Sequence, residues 1–207
     1  MVTKEPASRS PLWDVTQEQY LARQRNTDKL LEIVDSLGAF SEGEFESLED
    51  VVTALVEQIP TIGTPQATTS GTEFDFTIPS WATQVSLSLI NCTLSGTDDF
   101  LIQLGDAGGI EISGYLGSSI TTTYTAGFGI RTANAAAMVH GQVLLTLVNS
   151  GTFTWSASGS LSRSDTGVAI TTGGSKSLSA VLTTVRLTRT GTNTFDSADG
   201  WANVRYS

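Results

Sequence analysis

From Thr72 to the end of the chain, apolar and polar side chains alternate with a period of two. The pattern is clearest in EFDFTI (residues 73–78), QVSLSL (84–89) and TFTWSA (152–157). Successive side chains of a β-strand point to opposite faces of its sheet, so this alternation predicts strands with one buried and one exposed face. This part of the chain is therefore predicted to be β-structure.

Two turn signals lie between alternating runs. One is Asn149-Ser150-Gly151 and the other is Thr190-Gly191-Thr192-Asn193. Residues of these types tolerate positive φ, so each signal predicts a β-hairpin. Repeated strands with no helix between them indicate an antiparallel, jelly-roll-like β-sandwich over residues 72–207.

The first 60 residues have a helical period instead. Two runs with apolar residues three and four apart predict a short α-helical N-terminal segment over residues 1–60. A capping box at Thr16 and Gln19 begins the first helix, and Gly38 ends it. Residues 61–71 are predicted to be a linker to the β-domain. The apolar stripes consist of Tyr20, Leu30, Val34 and Leu37 in the first run, and of Val52, Leu55 and Ile59 in the second.

Helices this short are marginal in water, so their apolar stripes need a partner. The stripes could pack on the β-domain of the same chain. Alternatively, they could self-associate or dock into a larger assembly, and a linker between the two parts favours this second interpretation. The seven stripe residues are therefore predicted to be oligomerisation contacts.

The charge of the chain is concentrated at its front. The formal net charge is −10, and residues 1–60 hold 12 of the 21 acidic residues. Nucleic-acid binding through phosphates needs Lys and Arg, so it is not expected. No apolar run approaches the roughly 18 residues of a membrane helix. The first 15 residues lack the apolar centre of a secretory signal, so we expect no export by that route. We therefore expect no membrane insertion, and we expect the protein to be synthesised in a cytoplasm.

The single cysteine, Cys92, is expected to be a small core residue.

The stretch Gly105–Gly109 reads GDAGG and is similar to the GDSGG loop of trypsin-like serine proteases. The position of the nucleophile, however, is Ala107, which has no hydroxyl, and the one histidine, His140, follows the motif instead of preceding it. A glycine-rich turn between two strands explains the same letters. We therefore predict a turn here and no protease.

The acidic residues of the β-domain give only weak signals for a calcium site or for paired catalytic carboxylates. Asp98-Asp99 and Asp106 lack the dense acidic spacing of a calcium loop. Glu73, Asp75 and Glu111 could in principle supply paired carboxylates, but nothing in the sequence sets a distance between them. We predict no catalytic residue, no metal and no cofactor, and hence no enzyme.

Aromatic side chains offer a carbohydrate hypothesis, because exposed rings stack on sugars. Trp155 alternates with Phe153 and is expected in the core. Tyr115 and Tyr124 lie near loops and are the candidate glycan contacts. The aromatic residues considered are Trp81, Tyr115, Tyr124, Trp155, Trp201 and Tyr206.

Two long stretches contain motifs that form a set. The first is IPSWATQVSLSLINCTLSGTDDFLIQLGDAGGIEISGY (residues 78–115), with its IPSW, QLG and GG-x-E-x-x-GY motifs. The second is SLSAVLTTVRLTRTGTNTFDSADGWANVRY (177–206), with a TFD turn before the last strand. Together they resemble a domain of tailed-bacteriophage and prophage virion proteins, and the resemblance covers about residues 71–207. It implies a virion component of fibre or decoration type, often trimeric, with no catalytic residues to transfer.

The leading hypothesis is a small homotrimeric tail-fibre protein in the virion. Residues 1–60 would anchor it to other virion proteins of the tail or baseplate, and the β-domain would form a tip that touches the host surface, including its glycans. A capsid decoration or head-fibre protein is the close alternative. An alternative of another class is a carbohydrate-binding module.

Overall fold

The computed structural model describes residues 59–207. Within this range the chain forms fourteen strands and no helix, so this range contains no helix that could cross a membrane. The strands are Thr61–Ile62 (β1), Gln66–Ala67 (β2), Phe74–Thr77 (β3), Gln84–Cys92 (β4), Phe100–Asp106 (β5), Gly109–Ile110 (β6), Leu116–Ser119 (β7), Thr122–Tyr124 (β8), Phe128–Ile130 (β9), Val139–Asn149 (β10), Thr154–Arg163 (β11), Val168–Ser177 (β12), Thr184–Arg189 (β13) and Trp201–Tyr206 (β14).

The predicted N-terminal helices lie outside the described residues. The same is true of six of the seven predicted oligomerisation residues, namely Tyr20, Leu30, Val34, Leu37, Val52 and Leu55. The seventh, Ile59, is exposed at the start of the described range.

The strands form two antiparallel sheets. The larger sheet has the order β1–β14–β4–β10–β11–β12–β7–β8, with β2 also beside β14. The smaller sheet has the order β3–β13–β5–β6, with β9 also beside β5. The chain is therefore mainly β over this range, as the period-two alternation predicts.

Inward side chains from both sheets form one hydrophobic core. The alternating residues of β4 and β11 contribute as predicted, and Trp155 is among the largest buried side chains. Cys92 is also buried, and this burial raises the pKa of its thiol, although hydrogen bonds, the largest from Thr68, oppose the rise. The expectation of a core cysteine is confirmed.

The hairpin predicted around Asn149-Ser150-Gly151 is confirmed. Strands β10 and β11 pair along their whole length, and the Asn149 side-chain oxygen accepts the Gly151 N–H at 2.9 Å. The turn is longer than predicted, however. Phe153 has a φ of 48° and belongs to the turn, so β11 begins at Thr154, two residues after the start of the alternating run TFTWSA.

The second predicted hairpin is wrong. Strand β13 lies in the smaller sheet and β14 in the larger one, so the segment 190–200 crosses between sheets instead of turning back along one. The physical reason is Phe195, which is buried and packs edge-on against Phe74 and obliquely against Phe100. Burial of this ring in the core directs the chain across the domain.

The stretch predicted as a linker carries two short strands. Residues of β1 and β2 pair with β14, and Thr68 is buried with its N–H donating to the carbonyl of Gly200 at 2.8 Å. Residues 61–68 thus form an edge of the larger sheet. Strands of two residues are too short to produce a period in the sequence.

Candidate functional site

The glycine-rich stretch Gly105–Gly109 is a tight hairpin. Asp106 at the end of β5 pairs with Gly109 at the start of β6, so the turn contains only Ala107 and Gly108. The Asp106 Oδ1 accepts the Gly108 N–H at 2.7 Å. Gly109 has a φ of 111°, which L side chains rarely adopt. The prediction of a turn is confirmed.

Four polar residues beside this hairpin form a linear network of hydrogen bonds and one ion pair. The Ser179 hydroxyl donates to Asp106 Oδ2 at 2.5 Å, and the Ser179 N–H donates to Glu111 Oε1 at 2.8 Å. The other oxygen of Glu111 pairs with the buried ammonium of Lys176. This network joins the hairpin to the end of β12.

The network also sets the charge of its carboxyl groups. The Ser179 hydroxyl, followed by the Gly108 N–H, holds the pKa of Asp106 below its usual value. Burial raises the pKa of Glu111, but hydrogen bonds from Lys176 and Ser179 and the charge of Lys176 together outweigh it, so the pKa is lowered. Both carboxylates are therefore ionised and already bound by donors of the protein.

Tyr115, the first candidate glycan contact, lies in the core with 1% of its surface exposed. Its hydroxyl accepts the Leu104 N–H at 2.6 Å and donates to the Glu111 carbonyl at 2.9 Å. Its ring packs edge-on against Phe128, and the Lys176 ammonium lies over it. Burial raises the pKa of the hydroxyl. A sugar stacks on an exposed ring face, and Tyr115 presents none here.

Tyr124, the second candidate glycan contact, is also buried. Its hydroxyl donates to Asp99 Oδ2 at 2.7 Å, while Asp99 Oδ1 accepts the N–H groups of Thr132 and Ala133 at 2.7 and 2.8 Å. Burial, and then the hydrogen bond and charge of Asp99, raise the pKa of Tyr124. Both oxygens of Asp99 are thus occupied by hydrogen bonds within the domain.

Within residues 59–207, no group of three or more His, Cys, Asp or Glu side chains is placed to hold a metal ion.

His140 and Ser164 are the nearest approach to a catalytic pair. The His140 Nε2 lies 3.1 Å from the Ser164 hydroxyl oxygen. The other ring nitrogen, Nδ1, accepts the backbone N–H of Asn91 at 3.4 Å. Because Nδ1 accepts a hydrogen bond, it carries no proton, and Nε2 is the ring nitrogen that donates. A general base needs a free lone pair facing the serine, and this tautomer offers a proton instead.

The carboxylates of Glu73 and Asp75 bind an arginine. Arg186 on β13 holds Asp75 through two hydrogen bonds of 2.6 and 2.7 Å and reaches Glu73 at 3.0 Å. Glu111 belongs to the separate network around Lys176. The three carboxyl groups named from the sequence are therefore divided between two different ion-pair clusters.

The remaining aromatic side chains differ in exposure. Trp155 is buried, as predicted, and Trp81 packs edge-on against Tyr206. Trp201 is different, since 47% of its surface is exposed. It lies on the side of the larger sheet that points away from the core, here called the outer face.

Trp201 forms one wall of an open groove on the outer face. It lies directly opposite Ile90 on β4, which is also exposed. The groove, called the Trp201 groove, has a volume of about 450 Å³ and is lined by Pro65, Ser88, Ile90, Trp201, Ala202 and Asn203. An exposed tryptophan beside an exposed isoleucine forms an apolar patch on the surface, and such patches often mark binding sites. This groove is therefore the strongest binding candidate in the described range.

A line of uncharged polar residues runs across the outer face from this groove. Each member pairs in register with the next across five consecutive strands, so all of them point to the same side. This line, called the neutral row, consists of Asn203, Ser88, Gln142, Ser160 and Thr171.

The other outward positions of β4, β10, β11 and β12 are also almost free of charged side chains. No Asp, Glu, Lys or Arg stands at an outward position of β4, β10, β11 or β12 between residues 84 and 177. Arg205 stands at an outward position of β14, in register with Ser86 on β4 and Ile62 on β1. The outer face thus presents hydroxyl and amide groups with very little charge.

The sequence contains a signal for this face in the spacing of its serines. In QVSLSL and in TWSASGSLS (residues 154–162), serine alternates with core residues. The alternation identifies which serines point outward, but only the strand order shows that they stand side by side. Trp201 was among the aromatics considered, and its place beside Ile90 depends on the pairing of β14 with β4.

Comparison with protein-family models, with curated proteins and with solved structures gave no match to this chain.

Proposed function

We propose that the chain is a structural component of a tailed-bacteriophage virion, most simply a small homotrimeric tail-fibre protein. In this proposal residues 1–60 trimerise and attach to other virion proteins of the tail or baseplate. The β-domain is displayed outward and touches the host surface. The protein is made in the host cytoplasm, acts in the virion, catalyses no reaction, uses no cofactor, and neither inserts into membranes nor binds nucleic acid.

The observation that carries the proposal is the placement of the motifs behind the phage resemblance. The QLG and GG-x-E-x-x-GY motifs meet in space, because the Tyr115 hydroxyl bonds to the backbone of Leu104 and Glu111. Glu111 in turn binds Lys176 and the N–H of Ser179. These residues act together as a fold signature, which supports the resemblance as one of structure and not of catalysis.

The residues of the closing TFD motif (194–196) also form structural contacts. Phe195 fills the core between Phe74 and Phe100, and the Asp196 carboxylate accepts the Thr93 hydroxyl at 2.6 Å. The motif therefore fixes the crossing from β13 to β14. Contacts of this kind support the resemblance as one of architecture.

The jelly-roll form of the sandwich belongs to this proposal. Consecutive strands β3, β4 and β5 alternate between the two sheets, and so do β13 and β14. Alternation of this kind is what a double-sheet jelly roll requires. The meander β10–β11–β12 in the larger sheet would then be an extension of it.

Two alternatives remain as further proposals. A capsid decoration or head-fibre role uses the same displayed domain with a different attachment point. A carbohydrate-binding module is the alternative of another class, and the exposed indole of Trp201 is the observation that favours it.

Light scattering of the full chain, combined with analysis of phage particles, tests the proposal. We expect a mass of three copies, and we expect the double variant Leu30→Asp, Val34→Asp to dissociate because it places carboxylates in an apolar seam. The control double variant Arg25→Asp, Ser36→Asp places its carboxylates on the side of the predicted helix opposite the stripe and should retain the wild-type mass. Mass spectrometry of purified particles from a phage that encodes the chain should detect it; a monomeric chain missing from those particles contradicts the proposal.

A further inference from the structure

We propose that the outer face is a binding site for an uncharged polysaccharide. The Trp201 indole is the platform on which one sugar ring stacks, and the neutral row is the track along which the chain of sugars forms hydrogen bonds. The inference rests on the proposed function, because it names the class of molecule that the displayed domain would touch.

The platform is the first step of the argument. Tryptophan is normally well buried, yet nearly half of Trp201 faces solvent beside Ile90, more than half of which is exposed. The pyranose ring has an apolar face of C–H groups, which pairs well with an indole plane. Its edge carries hydroxyls, which match the Ser88 hydroxyl at the border of the Trp201 groove. The Asn203 amide at the same border already donates to the Gly63 carbonyl and accepts the Val204 N–H.

The track is the second step. The neutral row spans five strands, and adjacent strands lie about 4.8 Å apart, so the row is roughly 19 Å long. The hydroxyls of Ser88, Ser160 and Thr171 form no hydrogen bond to another residue of the range 59–207, and Ser160 and Thr171 are exposed. An extended polysaccharide lying across the strands would meet a free hydroxyl or an amide at successive steps.

Charge is the third step. The chain has a net charge of −10, yet no Asp, Glu, Lys or Arg stands at an outward position of β4, β10, β11 or β12. The basic residues at outward positions of β10 and β14 are His140 and Arg205, and neither belongs to the neutral row. Recognition of an anionic polymer would require several Lys and Arg side chains. A partner whose own groups are neutral hydroxyls fits the neutral row, because no charge within the row has to be desolvated when it binds.

A second copy of the chain is the competing occupant. Centres of protein interfaces are rich in apolar and aromatic side chains. The outer face instead consists mostly of serine and threonine, and its apolar residues near the row are few, chiefly Ile90, Leu144 and Trp201. Small hydroxylated side chains leave a shallow and wettable surface, which favours a sugar polymer over a protein partner.

Affinity electrophoresis of the full chain tests the inference. Native gels would contain dextran, yeast mannan, galactomannan or hydroxyethyl cellulose, all uncharged. We expect retardation in at least one polymer, and Trp201→Ala should weaken binding by about tenfold through the lost stacking. Ser160→Glu places a carboxylate in the middle of the neutral row and should weaken binding as well.

Two matched variants serve as controls. Ile112→Ala removes an apolar side chain that is more exposed than Trp201 from the loop between β6 and β7, and Thr166→Glu adds a carboxylate to the exposed turn between β11 and β12. Both should retain wild-type retardation. Far-UV circular dichroism and thermal melts of all four variants verify that they are folded.

Three results would overturn the inference. One is the absence of retardation in every polymer, and another is retardation that Trp201→Ala and Ser160→Glu leave unchanged. The third is that these variants change the mass of the protein in solution but not its retardation, which would identify the outer face as a contact between copies. Failure to find the chain in phage particles would contradict the proposed function and leave the electrophoresis result intact.

Discussion

Phe195 packs edge-on against Phe74, with ring centroids 4.8 Å apart and planes at 84°. The two rings come from opposite ends of the domain sequence. Phe74 begins β3 in the smaller sheet, and Phe195 lies in the crossing from β13 to β14. Its N–H also donates to the carbonyl of Gly71 at 2.9 Å. This contact fixes the crossing that separates the last two strands.

Replacing Phe195 by alanine should therefore destabilise the domain strongly. The side chain is fully buried among core residues, so its loss leaves a cavity and lowers the free energy of unfolding by about 3–5 kcal/mol. Urea denaturation followed by tryptophan fluorescence measures this change. Leu116→Ala, at a side chain with 76% exposure, is the control and should alter stability little. A loss below 1 kcal/mol at Phe195 would show that the crossing is held elsewhere.

Tyr115→Phe tests the tie between the hairpin and the core. The substitution retains the ring but removes the hydroxyl that accepts the buried Leu104 N–H at 2.6 Å. An unpaired buried donor costs about 1–3 kcal/mol, and we expect a loss of this size in the free energy of unfolding. Chemical denaturation at pH 7 measures it.

Tyr206→Phe is the matched control for that variant. Tyr206 is half-buried, and its hydroxyl forms no hydrogen bond to another residue of the described range. The free energy of unfolding of Tyr206→Phe should stay within about 0.5 kcal/mol of wild type. Equal losses in the two variants would mean that the tyrosine hydroxyl at position 115 has no special role.

Much of this architecture was predictable from the sequence, because it depends on local periodicity. Alternation located the buried residues of β4 and β11, and residue chemistry identified the turn at Gly105–Gly109. The pairing of β13 was not predictable in the same way. A turn signal at Thr190–Asn193 describes only a local reversal, whereas the sheet that each flanking strand joins is decided by distant packing around Phe195.

The candidate glycan contacts illustrate the same limit. Tyr115 and Tyr124 lie near chain reversals, where exposure is the usual expectation, but their hydroxyls reach partners 11 and 25 residues away in the sequence. In β14 apolar core residues alternate with outward ones, and Trp201 directly precedes the buried Ala202. Its outward position therefore follows from the period-two alternation of the sequence. Only the register with Ile90 reveals an apolar groove.

Gly109→Ala tests the backbone of the hairpin. Its φ of 111° disfavours any L side chain, although the space around it is open, so the cost comes from the backbone alone. We expect a loss of about 1–3 kcal/mol. Gly151→Ala is the control, because this turn glycine does not have a positive φ and an added Cβ there meets only ordinary contacts. Thermal melts would compare the two, and similar melting temperatures would contradict the assignment of strain to Gly109.

The carboxyl network beside the hairpin predicts how stability depends on pH. The folded structure lowers the pKa of Asp106 from its usual 3.8, and that of Glu111 from its usual 4.5. A carboxyl group with a lowered pKa binds its proton more readily in the unfolded chain. Its contribution to stability is therefore complete above the usual pKa and is lost as the pH falls through the folded pKa.

Glu111→Gln should change this dependence in a defined direction. The variant is less stable than wild type at pH 7, since it loses the ion pair with Lys176 and leaves that buried ammonium unpaired. It also loses less stability between pH 5 and pH 3, because one of the two titrating groups is gone. Urea denaturation at pH 7, 5, 4 and 3 measures both effects. Ser118→Ala, exposed and without a titrating group, should follow the wild-type profile. A Glu111→Gln profile parallel to that of wild type would show that the Glu111 pKa is the same in the folded and unfolded chains.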